Sequence, residues 1–210
     1  MPEVAACPAH ASRNPPGTPC TCDAEYKFDA TGTSCVLVEQ FTLPQAQAEK
    51  NGGQPQCGIG NPCNPANGNK YQADSDYVAG EGVPQVVRYY NSMLDAKDYG
   101  LGYGWTWRAA GKLELHSTLI QVRAGDGRGE PFTKNSTGQW IADADSKLSL
   151  VQDATGYTLT RQDGSSERYD TTGKLSAETD RSKRTTSYTY NSTGKLATVT
   201  GPFGHALTIG

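Results

Sequence analysis

The sequence predicts an all-β chain: a series of antiparallel hairpins forming an extended sheet, preceded by a small disulfide-rich segment. Three observations carry this. From Gly111 onward, runs such as "KLELHST", "LIQVRAG", "KLSLVQD", "YTLTRQ" and "KLATVT" put apolar side chains on every second position and end at Gly, Asp or Asn, as successive strands with one buried face do. A tetrapeptide, [Asp/Asn]-x-Thr-Gly, recurs at near-regular spacing. All six cysteines fall in the first third of the 210 residues.

Composition agrees. With 24 Gly, 12 Pro and 35% hydrophobic residues, the chain is rich in turns and poor in long helices. The net charge of −3 is spread over both signs, so no basic block points to nucleic acid or an anionic membrane. No apolar run approaches the roughly 20 residues that span a bilayer. "MPEVAACPAH" lacks the basic start and apolar run of a signal peptide, and "GHALTIG" stops within a strand-like phrase. The chain reads as a piece of something longer.

Taken in order, residues 1–55 form a Cys-rich module and linker. "EYKFD" and "SCVLVEQF" read as two small strands around a turn at Asp29–Gly32, and residues 44–56 read as linker. The cysteines Cys7, Cys20, Cys22, Cys35, Cys57 and Cys63 are even in number and sit in a loop-rich stretch, which suits disulfides in an oxidising compartment. Cys20 and Cys22 are expected to reach to Cys7 and Cys35, and Cys57 to bridge to Cys63, although six cysteines allow 15 pairings. The Cys-x-Cys and Cys-x5-Cys spacings fit zinc poorly. Residues 56–110 form a second module. Asn67-Gly68 signals a hairpin turn, "PQVVRYYNSM" is a β-branched and aromatic strand candidate, and Trp105 and Trp107 are expected as core anchors. No segment carries a helical period.

Residues 111–210 hold the repeat. The tetrapeptide starts at Asp29, Asn135, Asp153, Asp170 and Asn191, the last four 18, 17 and 21 residues apart. A spacing near 20 with self-similarity indicates a repeat architecture. Asp or Asn at the first position bonds to backbone N–H groups two residues on, and Gly at the fourth takes the positive φ of a type I turn with a G1 bulge. The flanking Tyr and Leu then face each other across the hairpin. These acids are turn formers spread over diverging tips, not a catalytic or metal array.

"YDTTGKLSAETD" (from Tyr169) and "YTYNSTGKLATVTGPFGHALTI" (from Tyr188) resemble Rhs/YD repeats, Tyr-x-Tyr-Asp-x-x-Gly-[Arg/Lys]-Leu-x-x-[Val/Ile]. Tyr169, Asp170, Gly173 and Leu175 match in the first copy, and Tyr190, Asn191, Gly194 and Leu196 in the second, where Asn191 replaces the usual Asp. "GNPCNPANGNKYQADSDY", "VVRYYNS" and "LGYGWTW" resemble the module that precedes the repeats in bacterial Rhs-family polymorphic toxins. The resemblance covers about Gly60 to Gly210. It implies a curved sheet that spirals into a hollow shell around a C-terminal toxin domain on the same chain, used in interbacterial competition. It also implies a secreted or surface location, with the rest of the chain as partner and a secretion-system or cell-surface protein as a further one. No catalytic, cofactor or metal residue is expected.

Other signals fall to plainer readings. The glycines of "GLGYGW" alternate before a strand, unlike a dinucleotide loop, and indicate a tight turn plugged by aromatics. Asp74–Asp76 lacks the ligand density of a Ca²⁺ loop. His10, His116 and His205 stand apart and read as surface residues. Asn135 and Asn191 head Asn-x-Thr sequons that read as turns. Two rival functions remain: a binding module that uses the Cys-rich head or exposed aromatics against a protein or carbohydrate, and a glycan-directed enzyme. The enzyme needs two converging carboxylates.

Overall fold

A computed structural model describes residues 6–13, 15, 18–23, 26–29, 31–37, 42–53, 64, 67–94 and 98–210. Cys57 and Cys63 lie outside the described residues. The chain divides into two compact units, residues 1–41 and 42–210.

The first unit holds two small antiparallel ladders, β1 (Ala11–Ser12) with β2 (Thr21–Cys22) and β3 (Tyr26–Phe28) with β4 (Cys35–Leu37). Disulfides join Cys7 to Cys20 and Cys22 to Cys35. Strands this short bury little apolar surface, so the crosslinks take over the role of a core. His10 stacks on Tyr26 with ring centroids 4.0 Å apart.

The second unit begins with a helix, α1 (Leu43–Ala48), which runs into a 3-10 turn at Glu49–Asn51. This corrects the expected linker at 44–56 as far as residue 51; residues 54–56 lie outside the described residues. Six residues are too few to display a helical period, but the start signal is present. Thr42-x-x-Gln45 is a capping box, in which the Thr42 backbone N–H donates to Gln45 Oε1 at 2.8 Å. Pro44, which needs no donor there, lies in the first turn.

Two sheets follow. β5 (Tyr71–Tyr77), β6 (Val86–Asn91) and β7 (Trp105–Trp107) form a three-stranded antiparallel sheet. The remaining strands form one 11-stranded antiparallel meander in which each strand pairs with its sequence neighbour. They are β8 (Lys112–Leu115), β9 (Leu119–Arg123), β10 (Gly129–Lys134), β11 (Trp140–Ala142), β12 (Ser149–Asp153), β13 (Gly156–Thr160), β14 (Ser166–Tyr169), β15 (Leu175–Thr179), β16 (Thr185–Tyr190), β17 (Leu196–Thr200) and β18 (Ala206–Thr208). The all-β prediction holds, as does the sequential hairpin order.

One face of the meander carries the core. Leu113, Ile120, Phe132, Trp140, Leu150, Leu159, Tyr169, Leu175, Tyr188 and Val199 are buried and belong to one cluster. Strand β9 departs from simple alternation because all five of its residues are buried. Ile120 and Val122 join the cluster, while Gln121 and Arg123 meet α1 and its 3-10 turn. Gln121 Nε2 donates to the Ala46 carbonyl at 3.2 Å. The fully buried Arg123 pairs with Glu49 and, at 3.0 Å, with Glu114. Lys50 reaches Asp143 at 3.2 Å and also Asp145. Helix α1 therefore covers the outer face of the sheet beside β10 and brings polar partners for otherwise unpaired buried groups.

The meander also turns back on itself. The Leu113 N–H, on the free edge of β8, donates to the Gly173 carbonyl at 2.8 Å, and Lys112 makes an isolated antiparallel bridge to Lys174. The hairpin turn between β14 and β15 thus caps the edge of the sheet's first strand. A Cβ on Gly173, where φ is +87°, would stand 2.4 Å from the Leu113 carbonyl oxygen. Only glycine permits this approach.

Trp105 is half-buried and lies outside the core cluster, which corrects its expected role as a core anchor, whereas the half-buried Trp107 packs against that cluster; the fully buried residue of β7 is Thr106 between them. Trp105 faces outward and is covered by Arg88, whose guanidinium carbon lies 4.9 Å from the ring centre.

Candidate functional site

The repeated phrase builds the same turn at Asp170 and at Asn191. At Asp170, the backbone N–H donates to the Lys174 carbonyl at 2.9 Å, and the Gly173 N–H donates to the Asp170 carbonyl at 3.1 Å. Asp170 Oδ1 accepts from the Thr172 N–H, the Thr172 hydroxyl and the Lys174 N–H at 2.8, 2.7 and 3.0 Å. Asn191 Oδ1 makes the same three contacts with Thr193 and Lys195, at 3.0, 2.8 and 3.0 Å. Only one oxygen is used, so Asn replaces Asp without losing a bond. Gly173 and Gly194 carry the positive φ the turn needs, +87° and +77°, and the register shifts by a bulge at Arg168/Tyr169 and at Thr189/Tyr190.

Tyr169 pairs with Leu175, and Tyr190 with Leu196. The first pair is fully buried and the second half-buried. The two copies are stitched together. The Tyr190 hydroxyl donates to the Leu175 carbonyl at 2.8 Å, and Lys174 Nζ stands 5.2 Å from the Tyr190 ring centre. Burial first, and the charge of Asp170 second, push the Tyr190 phenol up to about 12.

Asp153 departs from this pattern. It pairs directly with Gly156 across a two-residue turn, without a G1 bulge. A Cβ on Gly156 would lie 2.0 Å from the Tyr169 carbonyl oxygen, so this glycine serves the approach of the next hairpin. Conversely, several turns escaped the tetrapeptide. Arg161–Gly164, Asp180–Lys183 and Gly201–Gly204, for example, each close with the fourth residue's N–H donating to the first residue's carbonyl, at 3.0, 2.9 and 3.0 Å. In the second of these Lys183 takes φ +64° in place of glycine.

Other predicted residues find structural places. Asn67 and Gly68 turn the chain into β5 instead of joining two strands: the Gly68 N–H donates to the Asn64 carbonyl at 2.7 Å. In "GLGYGW", Gly100, Gly102 and Gly104 all have positive φ, but Tyr103 is exposed and plugs nothing. Asp74 and Asp76 pair with Arg88. Among the described residues no group of three or more His, Cys, Asp or Glu side chains is placed to hold a metal, and His10, His116 and His205 are exposed.

A concavity of about 420 Å³ lies between the three-stranded sheet and β14–β17. Val87, Tyr89 and Trp107 of the three-stranded sheet and Tyr188 and Val199 of the meander give it apolar lining, and Arg108, Arg161, Arg184, Glu178 and Asp180 its charged groups. A smaller neighbouring hollow, about 260 Å³, shares Tyr89, Arg108, Arg161 and Glu178 and adds Glu167. Glu167 and Glu178 stand directly opposite each other on β14 and β15, an unfavourable placement for like charges. Each is compensated. Glu167 accepts from Arg161 at 2.5 Å and from the Tyr169 hydroxyl. Glu178 accepts from Arg108 at 3.1 Å and from the Tyr188 hydroxyl at 2.5 Å. Burial first, then the adjacent Glu178 charge, raises the Tyr188 phenol well above its ordinary value. Sequence reading missed this cluster, although one sign of it was legible. Glu167 occupies the place that Tyr188 fills in the better-matched copy, two positions before the repeat tyrosine.

Comparison with known families places these elements. Residues 60–132 match a family model described as a domain of unknown function (DUF6531). This match includes the three-stranded sheet and continues through β8 and β9 into β10, past residue 110. Residues 169–206 match the RHS repeat, the segment that holds the two stitched hairpins. Among curated proteins none matches the chain. Between them the two family matches take in about half of the sequence, in the order expected of a pre-repeat module followed by repeats, and together they are consistent with an Rhs/YD-repeat protein.

Proposed function

We propose that this chain is a non-enzymatic wall segment of a secreted or surface Rhs-family toxin, part of a β-shell that encloses or presents a toxin domain lying further along the same polypeptide. The observation that carries this reading is the turn-back of the meander. The edge of β8 is capped by the β14–β15 turn through the Leu113–Gly173 bond, so the sheet curves within eight strands instead of extending flat. A curved sheet of repeats encloses volume, and each repeat buries its apolar face only against its neighbours. Rhs repeats are generally structural, and their proteins are typically extracellular or surface-associated, which agrees with the two disulfides of the first unit. The paired Glu167 and Glu178 supply the two carboxylates that a glycan-directed enzyme needs, but each is engaged by an arginine and a tyrosine of the wall itself.

Limited proteolysis of the natural polypeptide containing this segment tests the proposal. A domain following the repeats should resist cleavage in the native protein and become sensitive in mild denaturant, as the wall opens. Equal cleavage before and after opening, or a polypeptide that has no domain beyond its repeats, would overturn it.

A further inference from the structure

The concavity beside β15 and β16 has an imbalance of hydrogen-bonding capacity. Its acceptors are engaged. Asp180 Oδ1 accepts from the Ser182 and Arg184 N–H groups at 2.8 and 2.9 Å, and Oδ2 accepts from Arg184 Nε at 2.7 Å. Glu178 Oε2 accepts from both Arg108 and Tyr188. Its donors are in surplus. A guanidinium carries five N–H groups. Arg161 gives one bond, to Glu167. Arg108 spends its Nε on Glu178 and stands beside the Tyr188 hydroxyl, and Arg184 bonds Asp180 and Glu81. Three arginines therefore line one cavity with most of their donors unspent, and the three-stranded sheet contributes the apolar groups Val87, Tyr89 and Trp107 to the same lining. The volume of about 420 Å³ is in the range of small-molecule sites.

We propose that this cavity binds a carboxylate carried on an apolar body, the carboxylate lying against Arg108 and Arg161 and the body against Tyr89 and Trp107. A planar carboxylate matches the guanidinium fork in two parallel bonds. The apolar side excludes a bare ion as the preferred ligand. The site stands whether or not the chain forms a closed shell, because all of its residues lie within the second unit.

The test is titration of the whole chain with N-acetyl-phenylalanine, followed by tryptophan fluorescence and by calorimetry, alongside its neutral amide and inorganic phosphate. Saturable binding of the acid, at least tenfold tighter than the amide and tighter than phosphate, supports the site. Arg108→Gln should weaken that binding at least tenfold; because it also unpairs the largely buried Glu178, the double variant Arg108→Gln/Glu178→Gln serves as its folded control. Arg161→Gln should weaken binding similarly. Because it also unpairs Glu167, the double variant Arg161→Gln/Glu167→Gln serves as the folded control. No binding, equal binding of acid and amide, phosphate binding as tightly as the acid, or an unaltered affinity in Arg108→Gln would overturn the proposal.

Discussion

Asp153, Asp163 and Asp180 sit at hairpin tips, and each carboxyl is held below its ordinary value of 3.8. The Arg168 bond is the largest cause at Asp153, the Ser165 hydroxyl at Asp163 and the Arg184 backbone N–H at Asp180. A carboxyl that titrates lower in the folded chain than in the unfolded one stabilises fully above its unfolded pKa, and that stability is lost as pH falls through the folded value. Glu130, half-buried and raised mainly by burial, has the opposite sign. The lowered set is larger, so the thermal midpoint should be flat between about pH 7 and 5 and should fall below about pH 4. A midpoint that rises on acidification in a calorimetric series would refute this. The residue scale also shows why the turn was readable. One side-chain oxygen, one threonine and one glycine suffice, and they are adjacent in sequence. The turn at Asp180 lacks both the threonine, with Ser182 in its place, and the glycine, and Lys183 accepts the strained φ because the flanking strands hold it there.

At the scale of elements, legibility followed the range of the interactions. Strands β12 to β17 alternate over five residues or so, and their alternation faces one core. Helix α1 was hidden because its stability comes from burying Ala46 against the sheet and from the Arg123–Glu49 pair, both long-range. The position of Trp105 outside the core was hidden for the same kind of reason: how far each residue of β7 is covered depends on neighbouring strands, which bury Thr106 fully and set Trp107 against the core. The first unit rests on a different element, the disulfide. Its described residues contribute one buried hydrophobic, Cys35. Each crosslink closes a loop with a sequence separation of 13 residues, worth about 3 kcal/mol in the chain-entropy view. Reduction under native conditions should therefore abolish amide-exchange protection in Tyr26–Phe28 and Cys35–Leu37 while leaving the thermal midpoint of the 11-stranded sheet in place. Protection that survives reduction would show that the head has a core of its own.

On the scale of the whole molecule, the resemblance implied a curved sheet, but no residue pattern showed which contact makes the curve. Curvature depends on where an edge meets a distant turn, and Leu113 and Gly173 lie far apart in sequence. The inner-face cluster at Glu167 and Glu178 is likewise a product of register, since two glutamates become neighbours only once β14 and β15 pair. If the Leu113–Gly173 contact holds the turn-back, it has a signature that an open sheet lacks. The Leu113 N–H belongs to an edge strand, yet its exchange should be slowed as much as that of amides within β14 and β15, because its acceptor lies across the closure. Gly173→Val introduces both an unfavourable positive φ and a backbone clash at 2.4 Å, and it should cost about 2–4 kcal/mol. In that variant the Leu113 amide should exchange freely while the Tyr157–Tyr169 ladder of β13 and β14 stays protected. Fast exchange at Leu113 in the unmodified chain would mean that the meander is open at this edge, and the enclosing wall would lose its main support.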